Sequence, residues 1–118
     1  MKTVYVVMSH EGAYEDYVES IIRVCADQKK SEALVKQLMI ELEEVDNRKR
    51  AAKEEFRKII KERGLEIQYG LDMYETIHKK LKKHAGIRDE VQKKHQVENI
   101  WPSDQRGFHV VIAEYDDE

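Results

Sequence analysis

Residues 28–63 read QKKSEALVKQLMIELEEVDNRKRAAKEEFRKIIKER without one glycine or proline, and this run decides the fold. Residues at alternating steps of three and four form a seam, through Val35, Leu38, Leu42, Val45, Lys49, Ala52, Phe56 and Ile59. That spacing keeps one stripe on one side of a helix, as a coiled-coil seam does. Asp27 or Ser31 can accept hydrogen bonds from the unpaired amides of the first turn, Glu32 adds an early carboxylate, and Gly64 ends the run. At about 1.5 Å per residue the helix reaches ~50 Å, more than a domain of this mass needs to cover its own core. Part of it is therefore expected to project or to pair. The seam is weakest at Asp46, Asn47, Arg48, Lys49 and Arg50, so a bend or break there stays open.

Strand chemistry lies on both sides of the run. Residues 3–9 are rich in β-branched and aromatic side chains, with Val4, Val6 and Met8 alternating against Tyr5, Val7 and Ser9. An exposed connection with Gly12, Glu11, Glu15 and Asp16 leads to a second strand at 18–26, where Ile22, Val24 and Ala26 share a face. Residues 108–115 form a third strand, with Phe108, Val110 and Ile112 on one face and His109, Val111 and Ala113 on the other. Beyond Gly64, residues 65–70 read as a connector. A second helix then starts with Asp72 as cap and Tyr74, Ile77, Leu81 and Ala85 as its apolar line. Gly86 can end that helix and residues 87–96 can resume it, before Trp101, Pro102, Ser103 and Asp104 force an irregular passage.

The expected fold class is α+β, with a three-stranded antiparallel sheet made of an N-terminal hairpin and the C-terminal strand. A long helical hairpin is inserted between the second and third strands. The organisation is one domain, 1–118, with the sheet from 3–26 and 107–115 and a helical arm over 28–100.

Composition bounds the function. Twenty-one Lys and Arg against 24 Asp and Glu give a net charge of -3, so nucleic acid or an anionic membrane would need a local patch. Cys25 is the single cysteine and cannot close an internal disulfide, which favours a reducing, cytoplasmic setting. The apolar run at the start is too short for a signal peptide, and no segment approaches the roughly 20 apolar residues of a membrane span.

No nucleophile with its base stands out. Cys25 lies on a strand with no basic neighbour or helix start to activate it, and histidines 10, 78, 84, 95 and 109 are scattered. No catalytic residue and no cofactor are expected. His10 with Glu11, Glu15 and Asp16 concentrates metal-binding chemistry in one loop, but the spacing matches neither an EF-hand nor a zinc motif. A solvated acidic loop is the simpler account, and Glu114, Asp116, Asp117 and Glu118 make a comparable tail. Tyr14, Tyr17 and His10 can line a small-molecule pocket in the same loop. Residues 78–95 carry seven basic side chains against two acidic ones, a local +5 that a phosphate backbone can use. Yet no aromatic residue lies there to stack on bases, and the acidic run Glu41, Glu43, Glu44 and Asp46 is an alternative partner within the chain.

The seam is the most informative feature, because Phe56, Ile59 and Ile60 must be buried by something. The second helix can fold back on them through Tyr74, Ile77 and Leu81, or a second copy or another protein can dock there. Trp101 beside Pro102 reads as a core or interface anchor, placed as a lid over the sheet edge.

The chain ends carry a resemblance. Val4-Tyr5-Val6-Val7, the loop Gly12-Ala13-Tyr14-Glu15-Asp16-Tyr17, the helix start Asp27-Gln28-Lys29-Lys30-Ser31-Glu32-Ala33 and the terminal strand with its acidic end cover about a third of the chain. Together they resemble short uncharacterised phage and bacterial proteins. Arg23-Val24-Cys25-Ala26, where an aromatic is more usual, and the longer helical insertion depart from that pattern. The resemblance implies the sheet and a phage origin and no catalytic residue.

The expected function is thus a non-enzymatic protein-interaction module, homodimeric, a phage accessory or anti-defence protein that binds a host protein. The alternative is nucleic-acid binding or mimicry through the charged arm. The residues expected to meet a partner are Phe56, Ile59, Ile60, Tyr74, Lys79, Lys80, Lys82 and Lys83.

Overall fold

A computed structural model describes residues 1–102 and 105–116. Three strands, β1 (Lys2–Glu11), β2 (Val18–Cys25) and β3 (Arg106–Tyr115), form one antiparallel sheet in the order β2-β1-β3. Two helices, α1 (Gln28–Glu62) and α2 (Tyr74–His95), lie between β2 and β3 in the chain. The expected α+β class and topology are therefore what the chain adopts. Among the described residues no helix is long and apolar enough to cross a membrane. Ser103, Asp104, Asp117 and Glu118, which belong to the expected irregular passage and acidic tail, lie outside the described residues.

The chain divides into two compact units. One holds residues 1–44 with the C-terminal strand, and the other is Val45–Pro102. In the first, β1 pairs with β3 from Lys2↔Tyr115 to Glu11↔Arg106, and with β2 from Tyr5↔Cys25 to Glu11↔Val18. The β1-β2 register shifts between Val7 and Met8, so β2 carries an extra residue there. This bulge overturns the uniform alternation expected of β2: Val24 stands opposite Val6 and Ile21 opposite Met8 on one face, while Ile22 falls at the irregularity. Val7 is fully buried, which identifies the face shared by Tyr5, Val7 and Val110 as the covered one. Asp27 caps α1, its Oδ1 accepting from the amides of Lys29 at 2.8 Å and Lys30 at 3.4 Å. Ser31 instead turns inward, fully buried, and its hydroxyl donates to the Gln28 carbonyl at 2.6 Å.

α1 is continuous through the polar stretch at 46–50, where no break occurs. The absence of Gly and Pro keeps every amide in the ladder, Ala51 and Ala52 favour helix, and Arg50 donates to Asn47 one turn back at 3.1 Å. Every position of the expected seam from Val35 to Ile59 is at least half-buried. The helix stops at Gly64, whose φ is +65°, and the Leu65 amide reaches back to the Ile60 carbonyl at 2.9 Å. This closure satisfies terminal carbonyls and turns Leu65 into the core.

The hydrophobic core of the second unit is Ala52, Ile60, Leu65, Ile87, Val91 and Ile100, with Phe56, Ile59 and Val97 packed against it. Thus α2 does fold back on the seam, but of the line expected of it only Ile77 faces inward. Tyr74, Leu81 and Ala85 are exposed, and the inward positions are Ile77, Lys80, His84, Ile87, Val91 and His95. Polar residues hold three of these because each has a partner. Lys80 Nζ donates to Asp72 Oδ2 and to the Glu66 carbonyl, both at 2.9 Å, His84 Nε2 donates to the Leu65 carbonyl at 2.6 Å, and His95 Nε2 meets Glu55 Oε2 at 2.6 Å. Asp72 is accordingly not the cap of α2. Met73 occupies that position, and Asp72 instead accepts the Gln68 amide at 3.0 Å and the Lys80 ammonium. Gly86 does not end α2, which runs on to His95. Its stop is Gln96, left-handed at φ 56°, with the Val97 amide on the Gln92 carbonyl at 3.0 Å. Ile100, not Trp101, anchors the following segment: Trp101 is 57% exposed, with Lys53 Nζ 4.8 Å from its ring centroid. Within the second unit, Lys94 and His95 of the basic segment pair with Glu55, and Lys80 with Asp72.

These pairs set an acid response. Lys94, then His95, holds the Glu55 carboxyl below its ordinary value, and Lys80 with the Gln68 amide does the same for Asp72. A carboxylate depressed in the folded state stabilises above its ordinary range and loses that contribution as pH falls through the folded value. The urea midpoint at pH 7 should therefore exceed that at about pH 3. The E55Q/D72N variant should start lower and lose less on acidification. An equal loss in both proteins would mean that other carboxylates set the acid response.

Candidate protein-docking groove and the histidine cluster

The turn between the helices is the most apolar exposed segment of the second unit. Tyr69, Leu71, Met73 and Tyr74 are 77%, 81%, 77% and 76% exposed. The backbone holds them there, because the Leu71 and Asp72 amides both donate to the Gln68 carbonyl while Lys80 and His84 tie the connector to α2. Beside this turn lies an open groove of about 1080 Å³, whose apolar wall is Phe56, Ile60, Ile67, Tyr69 and Leu81. His84 closes it edge-on to Phe56, ring centroids 5.8 Å apart.

Charge surrounds the groove. Residues 57–84 hold eight Lys and Arg against four Asp and Glu, a net +4 in a chain whose total is -3. Arg57, Lys58 and Lys61 line the groove itself, together with Glu54 and Glu66. Lys79, Lys82 and Lys83 are exposed, and among the described residues none of them makes an ion pair. Lys80 differs, being held by Asp72.

The residues expected to meet a partner thus fall into three groups. Phe56 and Ile60 line the groove, while Ile60 and Ile59 also serve the unit's own core. Tyr74 is exposed and stands edge-on to His78 at 4.2 Å. The lysines lie on the outer side of α2, except Lys80. Tyr69, Leu71 and Met73 escaped the sequence reading because a short connector carries no periodicity; the signal was four large apolar side chains within six residues.

The sheet presents a second constellation. On the face opposite Val7, Ile21, Val24 and Val111 are exposed, and β2 has no buried residue on either face. At one end of that face His10 Nδ1 lies 2.8 Å from His109 Nδ1. His109 Nε2 is 3.6 Å from Glu19 Oε1, and the Tyr17 hydroxyl donates to the same oxygen at 2.6 Å. This bond to Glu19, with some burial, raises the Tyr17 hydroxyl above its ordinary value. Gly107 makes room for the arrangement, since a Cβ there would stand 2.7 Å from His10 Nε2. His10 therefore works with His109 rather than with Glu11, Glu15 and Asp16, and Tyr14 points away into solvent. His109 was legible only from register: β3 begins opposite Glu11, which puts His109 diagonal to His10.

No protein-family model, no curated protein and no solved structure matches the chain.

Proposed function

We propose that the chain is a non-enzymatic protein-interaction module whose groove takes an acidic, apolar segment of a partner protein. The observation that carries this reading is the row of Tyr69, Leu71, Met73 and Tyr74 held out at the turn beside a groove walled by Phe56, Ile60 and Leu81. Folding normally removes such side chains from water, and a concave apolar surface with a charged rim is the usual form of a helix- or peptide-binding site. The local +4 of residues 57–84 and the three basic against two acidic residues of the lining favour an acidic partner. The resemblance of the chain ends to short phage and bacterial proteins supports a setting in which this is a phage accessory or anti-defence protein and the partner a host protein.

A second reading, contact with a nucleic-acid backbone, is favoured by the outward Lys79, Lys82 and Lys83 alone. One pair of assays separates the two. Selection of a random peptide library on the protein should enrich sequences combining Asp or Glu with Leu, Phe or Trp. L81E should weaken those peptides roughly tenfold or more, as charging a central apolar anchor does. Enrichment without acidic residues, or binding indifferent to L81E, would overturn the groove. A salt-sensitive DNA or RNA gel shift lost in K79E/K82E/K83E would establish the second reading in its place.

A further inference from the structure

We propose that His10 and His109 form a two-histidine site for a divalent transition-metal ion, with Glu19 and Tyr17 holding it in position. The inference is independent of the groove and uses only the sheet.

Three adjacent strands supply the parts. His10 stands on β1, Glu19 opposite it on β2, and His109 diagonally on β3. Two imidazole nitrogens face each other at 2.8 Å. As a hydrogen bond this uses one N–H and one lone pair. An ion bound cis to both nitrogens at about 2.0–2.1 Å would set them roughly 2.9–3.4 Å apart, so the rings part by a few tenths of an ångström and turn their lone pairs off the N···N line. The shared proton moves through solvent to the Nε2 of its own ring, and both imidazoles stay neutral.

A carboxylate lies near the far side of His109. Its Nε2 points at Glu19 Oε1 at 3.6 Å, and Glu19 is itself fixed by the Tyr17 hydroxyl. At 3.6 Å this carboxylate is a charged neighbour that favours a proton on Nε2 and leaves Nδ1 for the ion; closing to hydrogen-bond distance on ligation would give the carboxylate–histidine arrangement common around zinc. The His10 ring lies over Gly107, where any side chain would displace it. Among the described residues no group of three or more His, Cys, Asp or Glu converges on one point. The site thus offers two protein donors, and His109, one-third exposed, leaves the remaining positions to water. Imidazole nitrogens favour copper, nickel and zinc, with Cu(II) held more tightly than Zn(II).

Calorimetric titration of the whole chain with Zn(II) and with Cu(II), in a buffer that does not chelate, tests this. One ion per chain should bind, copper the tighter, and H10Q/H109Q should abolish it. E19Q should weaken it by about ten- to hundredfold while both imidazole Nδ1 resonances still shift in ¹⁵N spectra on adding Zn(II), which marks Glu19 as a positioning residue. No binding by the wild type, or equal binding by H10Q/H109Q with an unchanged circular dichroism spectrum, would overturn the site. An E19Q affinity equal to wild type would overturn the role given to Glu19.

Discussion

I100A should destabilise the helical unit by about 2–5 kcal/mol, the largest loss expected from any single truncation in this chain. Ile100 is 1% exposed and joins Ile60, Leu65, Ile87 and Val91 in the core. It closes that core from a segment without regular structure, delivered there by the left-handed turn at Gln96. Truncation to Ala removes apolar atoms that no neighbour on a fixed helix can replace, so a cavity term adds to the transfer term. Against a total stability of roughly 5–15 kcal/mol, the loss is a large fraction. Urea unfolding followed by far-ultraviolet circular dichroism measures it, with I112A as control. Ile112 is 62% exposed on β3, and its truncation should stay within about 0.5 kcal/mol. Equal midpoints for the two variants would remove Ile100 from the core.

G12A should be the costliest change in the sheet unit. Gly12 has φ +85°, and a Cβ on it would stand 2.3 Å from the Asp16 carbonyl oxygen and 2.9 Å from its carbon. The obstacle is backbone, held in a single turn of 3-10 helix at Tyr14–Asp16, so it cannot swing aside as a side chain would. Left-handed strain alone costs on the order of 1–3 kcal/mol, and relief of the clash must move the turn. That movement would also break the link from the Gly12 amide to the Gln105 carbonyl at 3.2 Å, which ties the loop to the start of β3. G64A is the comparison, since Gly64 shares the positive φ but a Cβ there meets nothing within 4 Å. Its cost should be about 1 kcal/mol. Thermal unfolding in parallel should place G12A several degrees below G64A, and the reverse order would refute the crowding at the loop.

These two sites mark how far the chain could be read before its structure. Alternation gave β1 and β3, and the uninterrupted seam gave α1, because each pattern repeats often enough to outvote a single exception. Gly64 was legible as a stop since nothing after it continued the period. Gly86 misled, because α2 passes through it and is held instead by Ile87 and Val91 beyond. The inward face of α2 was misread for a related reason: hydropathy ranks Tyr74 and Leu81 above Lys80 and His84. It cannot foresee that Asp72, the Glu66 carbonyl and the Leu65 carbonyl wait to receive the polar pair. Of the groove, Phe56 and Ile60 were visible as seam residues, whereas the outward row at 69–74 depended on a turn geometry that no period announces. The histidine pair depended on strand register between residues 99 positions apart in the chain.

The central claim is that the groove beside the turn is where a protein partner lands. Amide chemical-shift mapping tests it most directly, by titrating the ¹⁵N-labelled chain with an acidic, apolar peptide from the library selection. Saturable shifts gathered on Phe56, Ile60, residues 67–74 and Leu81, and lost with L81E, are the predicted result. Shifts gathered on β2, or spread along the outer lysines of α2 and abolished by salt, would contradict it.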